Sequence, residues 1–114
     1  MSSIYFEPKI EKASRKTMRK LQAGRFLAQV RHAYKNSPFY REKFDRAGVK
    51  VQGIRSLDDI TQLPFTTKDE LKADQAEHAP WGSILAVPIG QCLRVHSTSA
   101  TTGRPVMYLD TPED

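Results

Sequence analysis

The 114-residue sequence contains one cysteine, one tryptophan and three histidines. A lone Cys92 excludes an internal disulfide and any multi-cysteine zinc site, fits a reducing compartment, and is read as a buried strand residue. His32, His78 and His96 have no second histidine, cysteine or acid at a ligand spacing, so no metal site is expected. No run of about 18 apolar residues occurs, which excludes a membrane-spanning helix. The opening Met-Ser-Ser-Ile-Tyr-Phe-Glu lacks the basic-then-apolar pattern of a secretory signal, and a cytoplasmic location is the expectation. There is no internal repeat, no low-complexity tract and no Walker A pattern Gly-x4-Gly-Lys-[Ser/Thr].

What is present is enough for about one domain. Hydrophobic residues make 39% and charged residues 27% of the chain. Leu, Ile, Val and Phe together number 25 of 114, only slightly above the share at which charged chains stop folding, so the core should be modest. The net charge of +5 is unevenly divided: residues 1–50 carry 13 Lys+Arg against 4 Asp+Glu, and residues 51–114 carry 5 against 9. Such halves attract each other, or one of them attracts an anionic partner.

Apolar residues recur at helical spacing from Pro8 to about Lys35: Ile10, Ala13, Met18 and Leu21, then Ala23, Phe26, Leu27, Val30 and Tyr34. The pattern predicts one long amphipathic helix with a bend at Gly24. Lys9, Lys12, Arg15, Lys16, Arg19, Lys20, Arg25 and Arg31 fall on its other face. Without interleaved aromatics they read as a solvated face in preference to a nucleic-acid platform. Ser37 as N-cap and Pro38 at the first helical position begin a second helix, with Tyr40 and Phe44 on one side and Gly48 as its C-terminal cap. Ser56-Leu-Asp-Asp59 and Thr67-Lys-Asp-Glu70 start two short helices, roughly 57–62 and 68–75, so Asp58, Asp59, Asp69 and Glu70 are caps and dipole partners, not catalytic pairs.

From residue 76 to 90 Pro80, Gly82, Pro88 and Gly90 end the helical pattern, and Trp81, Ile84, Leu85 and Val87 pack as an irregular loop. The period then changes to 2. Leu93 and Val95 alternate with Arg94 and His96, and Val106, Met107, Tyr108 and Leu109 form a second run, which predicts two strands joined by residues 97–105. The expected fold class is α+β: a helical segment over 1–75, then a hinge loop and β-hairpin over 76–114, forming a single partial domain. The joining segment Ser97-Thr-Ser-Ala-Thr-Thr-Gly-Arg-Pro105 places five hydroxyls within six residues, followed by a glycine and a cation. That chemistry suits an anion, because backbone N–H groups and hydroxyls converge on phosphate oxygens while a cation offsets their charge. Taken alone, such a turn is also ordinary polar surface.

Ser37-Pro-Phe-Tyr-Arg-Glu-Lys-Phe44, Ala47-Gly48, Ser56-Leu-Asp-Asp59, Leu63-Pro-Phe-Thr-Thr-Lys-Asp-Glu-Leu71 and Arg94-Val-His-Ser-Thr-Ser-Ala-Thr-Thr-Gly-Arg-Pro105 together resemble the start of phenylacetate-CoA ligase-like enzymes of the adenylate-forming superfamily. The resemblance covers roughly residues 27–110 in order and spacing. It implies the beginning of the α/β N-terminal domain of such enzymes, which make an acyl-adenylate from an aromatic carboxylic acid and ATP with Mg²⁺, release pyrophosphate, and pass the acyl group to coenzyme A. It also implies that Thr98, Ser99, Thr101, Thr102 and Gly103 surround the ATP phosphates, with Arg104 at the family's usual lysine position. Positioned donors then hold the β- and γ-phosphates and leave the α-phosphorus open to in-line attack by the carboxylate oxygen.

Two departures from the family pattern stand in that loop. Ala100 occupies a usual glycine position; where φ is positive, a Cβ there costs on the order of 1 kcal/mol or displaces the loop. Arg104 keeps the lysine charge but replaces a mobile point charge by a planar fork. The resemblance further implies that the acid pocket, the acidic residues for magnesium and ribose, and the C-terminal domain lie outside these residues. The chain alone is therefore expected to be inactive, to expose apolar surface and to self-associate. The competing readings are a small basic domain that binds nucleic acid and a degenerate remnant kept as an interaction or dimerisation module. Duplex DNA binding that disappears when Lys12, Arg15, Lys16, Arg19 and Lys20 are neutralised would favour the first of these; ATP-induced shifts in the amide signals of residues 97–105 would favour the ligase reading.

Overall fold

Pro8 lacks the N–H that a first helical turn leaves unpaired anyway, and it opens α1 (Pro8–Glu11). The computed structural model describes residues 4–99 and 103–114. In it the helix expected to run unbroken from Pro8 ends after a single turn. Ser14 takes an extended conformation and its hydroxyl accepts the Thr17 N–H at 3.2 Å, capping a new helix, α2 (Arg15–Asn36). The break thus falls at Ser14, and α2 continues as helix through Gly24. The reason is chemical: a serine hydroxyl offers the backbone an alternative partner, whereas one glycine weakens a helix by about 1 kcal/mol without removing a hydrogen bond.

The joint between α2 and α3 (Pro38–Arg46) is the single residue Ser37. Its hydroxyl accepts from the Tyr40 N–H at 3.4 Å and donates to the Ile84 carbonyl at 2.8 Å, and the residue is fully buried. Arg41 reaches back from α3 to donate to the carbonyls of Tyr34, at 3.0 Å, and Lys35, groups that the end of α2 leaves unpaired. Gly48, at φ +72°, follows α3 in the left-handed conformation expected of its cap. Val30, Phe44, Val51 and Ile54 form the buried cluster, bordered by Phe26, Leu27, Tyr34, Tyr40, Val49 and Leu63. The Tyr34 and Phe44 rings lie near-parallel with centroids 6.4 Å apart. The Tyr34 hydroxyl donates to Asp45 at 2.8 Å, and that bond holds its pKa above the usual tyrosine value.

Leu57–Gln62 forms a 3-10 helix. Asp59 accepts the N–H groups of Arg55, at 2.8 Å, and Ser56, at 3.0 Å, which keep its carboxyl below the ordinary aspartate range. The next helix, α4 (Lys68–Glu77), carries a reciprocal capping box: Thr67 Oγ1 accepts from Glu70 N–H at 3.2 Å and Glu70 Oε2 accepts from Thr67 N–H at 2.7 Å. The cations of the first half meet acids of the second at Arg19–Asp58, 2.9 Å apart, and at Lys43–Glu70.

Two antiparallel strands follow, β1 (Arg94–Ser97) and β2 (Met107–Asp110), paired Arg94↔Asp110 through Ser97↔Met107. The pleat puts Arg94, His96, Tyr108 and Asp110 on one face and Val95, Ser97, Met107 and Leu109 on the other. Cys92 is only partly buried and lies outside the strand, contrary to expectation: its N–H is taken by the Ile89 carbonyl in the 3-10 turn Ile89–Gln91. No helix among the described residues is long and apolar enough to cross a membrane.

The whole is open. Its radius of gyration is 17.0 Å, where about 13 Å is usual for this length. Its accessible surface of 8819 Å² exceeds the roughly 6,300 Å² expected for a protein of 12.9 kDa. Phe65 at 94% exposure, Leu93 at 67% and Val95 at 51% carry part of that surplus.

Ser37→Ala removes an N-cap and leaves the Ile84 carbonyl without its donor, and should destabilise the chain by about 2 kcal/mol in denaturant unfolding; an unchanged midpoint would show that the joint carries no such weight. The Glu70 carboxyl is lowered from 4.5 to about 2, chiefly by the Lys43 ammonium and then by the Thr67 N–H. A depressed folded-state pKa stabilises above the unfolded value and loses that contribution as pH falls, so stability should decline between pH 4.5 and about 2. Glu70→Gln should flatten this part of the pH–stability curve.

Candidate functional site

The Ser/Thr-rich segment is carried at the open end of the hairpin, and its two arms are closed on each other at one rung. Thr98 N–H donates to the Val106 carbonyl at 2.9 Å, and Val106 N–H donates to Thr98 Oγ1, also at 2.9 Å. Thr98 therefore has a structural task first: its amide and one hydroxyl acceptor site seal the stem. Its hydroxyl proton is not used in either bond. Val106, fully buried, sits beneath this rung.

Ser99 is exposed beyond the rung, and on the returning arm Gly103 and Arg104 are exposed as well. Gly103 has φ +119°, a backbone conformation that side chains disfavour, and a Cβ there would meet nothing within 4 Å. The glycine is thus explained by backbone conformation, not by crowding. Of the residues expected at the phosphates, the structure places Thr98, Ser99, Gly103 and Arg104 on the two arms of one loop; Thr101 and Thr102, with Ala100, lie outside the described residues.

Arg104 also borders an open cleft of about 290 Å³ between the returning arm and α4, lined by Lys72, Gln75, Ala76, Pro80 and Met107 among others. Lys72 and Arg104 are the charged side chains that line it among the described residues. On the polar face of the hairpin, His96 Nε2 lies 2.6 Å from Asp110 Oδ2, with Arg94 3.5 Å from the same oxygen. His96 is a hydrogen-bonded, solvent-facing strand residue.

Sequence reasoning missed what holds the hairpin against the helices. Asp74 accepts from Ser83 N–H at 2.7 Å and from Ser83 Oγ at 2.5 Å, while the Ser83 carbonyl accepts from Phe39 N–H at 3.1 Å in the first turn of α3. Gln75 donates to the Met107 carbonyl at 2.7 Å and accepts the Met107 N–H at 3.0 Å. Gly82, at φ +75°, completes the arrangement: a Cβ there would fall 2.3 Å from Asp74 Oδ2. The Pro80-Trp-Gly82 turn is the one sequence signal that pointed here. Asp74 and Gln75 look like ordinary polar helix positions.

A hydroxyl-rich loop with a glycine and an arginine, without an acid, fits a polyphosphate as donor set to acceptor. It does not fit a metal ion: among the described residues no three His, Cys, Asp or Glu side chains converge. Among the described residues no such ligand set is present for the Mg²⁺ expected with ATP.

No protein-family profile matches the chain. The chain is 38% identical over 111 residues to the phenylacetate-coenzyme A ligase of Thermus thermophilus, covering 97% of this chain and 24% of that protein. It is 43% identical over 105 residues to the phenylacetate-coenzyme A ligase of Aromatoleum evansii, covering 92% of this chain and 23% of the relative. Among solved structures, a 2-hydroxyisobutyryl-CoA ligase in complex with 2-HIB-AMP and CoA in the thioesterification state superposes with a TM-score of 0.86 at 33% identity, over 96% of this chain and 23% of that one. An open conformation of that ligase gives 0.85 at 32% identity. The chain thus spans about a quarter of the length of the relatives it matches. In sequence motifs, hairpin architecture and superposition, it belongs to the phenylacetate-CoA ligase-like family of adenylate-forming enzymes, corresponding to their N-terminal region.

Proposed function

We propose that the chain acts as the ATP-phosphate-contacting N-terminal part of an AMP-forming aryl-acid coenzyme A ligase. The observation that carries this reading is the hairpin that presents Thr98, Ser99, Gly103 and Arg104 on closely tied arms, in a chain whose relatives are ligases. A solved relative bears an acyl-AMP and CoA. The names of the curated relatives support an aromatic acid such as phenylacetate as the substrate of the assembled enzyme.

The chemistry asked of this part is electrostatic. Backbone N–H groups and the hydroxyls of Thr98, Ser99, Thr101 and Thr102 hold the outer phosphates, and the Arg104 guanidinium forks onto their oxygens. A stem sealed by the Thr98–Val106 rung has already lost much of the freedom that binding would otherwise have to remove. The attacking carboxylate then meets an α-phosphorus fixed in line, and adenylate and pyrophosphate form without a covalent enzyme intermediate.

The exposed apolar residues of the hairpin and of the Leu63-Pro-Phe65 segment support a working form in which a larger ligase body covers them. We place the acid pocket and coenzyme A site in that body, so the 114-residue chain by itself should bind MgATP weakly and turn nothing over.

With isotope-labelled chain, MgATP should shift the amide signals of Ser99, Gly103 and Arg104, and Arg104→Ala should weaken the apparent affinity about tenfold, the loss expected for one charge-assisted phosphate contact. Pyrophosphate release with ATP, coenzyme A and arylacetates should stay at background. Absence of any shift in these residues at millimolar MgATP would refute the phosphate-loop assignment, and turnover above background would refute the division of labour.

A further inference from the structure

We propose that Gln75 is a positioning residue for the phosphate loop: its side-chain amide stands in for a third β-strand and fixes the returning arm. This rests on the reading of residues 98–104 as the phosphate-contacting loop.

The argument begins with the ladder. In an antiparallel pair, backbone groups point alternately toward the partner strand and away from it. Thr98 N–H bonds to the Val106 carbonyl, so residue 106 faces β1. Met107, the next residue, therefore turns its N–H and C=O outward, along the free edge of β2. A free edge of this kind is normally hydrated or paired by another strand. Here the Gln75 amide takes both groups, with Nε2 2.7 Å from the Met107 carbonyl oxygen and Oε1 3.0 Å from its nitrogen.

At neutral pH a carboxamide side chain supplies one donor and one acceptor at the spacing of a peptide group, whereas an ionised carboxylate supplies acceptors alone and an ammonium donors alone. Asparagine at this position falls one methylene short. The helix behind Gln75 is itself immobilised, because the adjacent Asp74 is bonded twice to Ser83 and Ser83 is bonded to α3. A rigid chain of contacts therefore runs from the buried helical cluster to the residue that follows the sealing rung of the loop. Fixing the arm there sets where Gly103 and Arg104 stand relative to Thr98 and Ser99, and a site held by locked supporting contacts needs less ordering when the anion arrives.

The test compares the 114-residue chain with Gln75→Ala and Gln75→Glu, by amide hydrogen exchange and by MgATP titration followed on the Ser99 and Gly103 signals. In Gln75→Ala, exchange at Met107 should rise at least tenfold while the Val30 and Phe44 amides keep their protection, and MgATP should bind about tenfold more weakly. In Gln75→Glu at pH 7 the introduced carboxylate keeps the Met107 N–H but cannot donate to its carbonyl. As the pH is lowered through the titration of that carboxyl, its protonated form again offers a donor and an acceptor, so the Ser99 and Gly103 signals should move back toward their wild-type positions at the same pH. The charged groups facing that position are Lys72 on α4 and Arg104 on the returning arm, with Asp74 engaged by Ser83.

Unchanged Met107 exchange in Gln75→Ala overturns the proposal, as does a loosening of Val30 and Phe44 by the same factor, which would make Gln75 a general stabiliser. If Gln75→Ala does not fold, the pH reversal in Gln75→Glu decides the matter, and its absence counts against the proposal. If the wild-type chain binds no MgATP, the phosphate-loop reading fails, and the exchange result still decides whether Gln75 fixes the arm.

Discussion

Backbone N–H and C=O groups that secondary structure leaves unpaired must be satisfied elsewhere, and in this chain two neighbouring side chains of α4 answer that requirement. A two-stranded hairpin has an open row of polar groups on each outer edge, and α3 begins with N–H groups that no helical carbonyl can reach. Gln75 covers the first and Asp74, by way of Ser83, supports the partner of the second. The turn between them admits no side chain at Gly82, because Asp74 already occupies that space. Remove this arrangement and the hairpin is an isolated two-stranded sheet, marginal in water, attached to a small helical cluster.

Electrostatics follows the same economy. Among the described residues the surplus of cations in the first half is met at two points by acids of the second, and one of these pairs is partly shielded: the Lys43 side chain is only 12% exposed. Glu70 serves at once as cap of α4 and as partner of Lys43, so one carboxylate orders a helix start and draws two elements together. Exposed pairs such as Arg19–Asp58 contribute little by themselves, on the order of 0–1 kcal/mol. Most of the basic face of α2 remains solvated.

Much of the fold was legible because its boundaries are written in residues with strong local preferences. Ser37-Pro38, Gly48, Ser56-Asp59 and Thr67-Glu70 each dictate a cap, and each stands where expected. A lone serine within an apolar 3.6-residue period gives no periodic signal, although the Ser14 hydroxyl is enough to begin a new helix. The residues proposed to contact phosphate are visible in the sequence as a cluster of donor side chains, and the family resemblance is what singles them out. The contacts that hold the loop are not visible there, because the bond between Gln75 and Met107 joins positions far apart in sequence, and no local pattern encodes a side chain pairing with a distant strand edge. Cys92 falls outside the strand because the 3-10 turn Ile89–Gln91 takes its N–H, and the ladder begins only at Arg94.

The one-residue joint at Ser37 sets a rotational register for everything after it. Each residue added to a helix turns its end by about 100° and advances it by about 1.5 Å. A single insertion in α2 ahead of Ser37 would therefore swing α3 around the axis of α2, carry Phe44 away from Val30, and take the N-terminus of α3 out of reach of Ser83 and Ile84. The length of α2 downstream of the core, not only its composition, is thus a fixed quantity in this architecture.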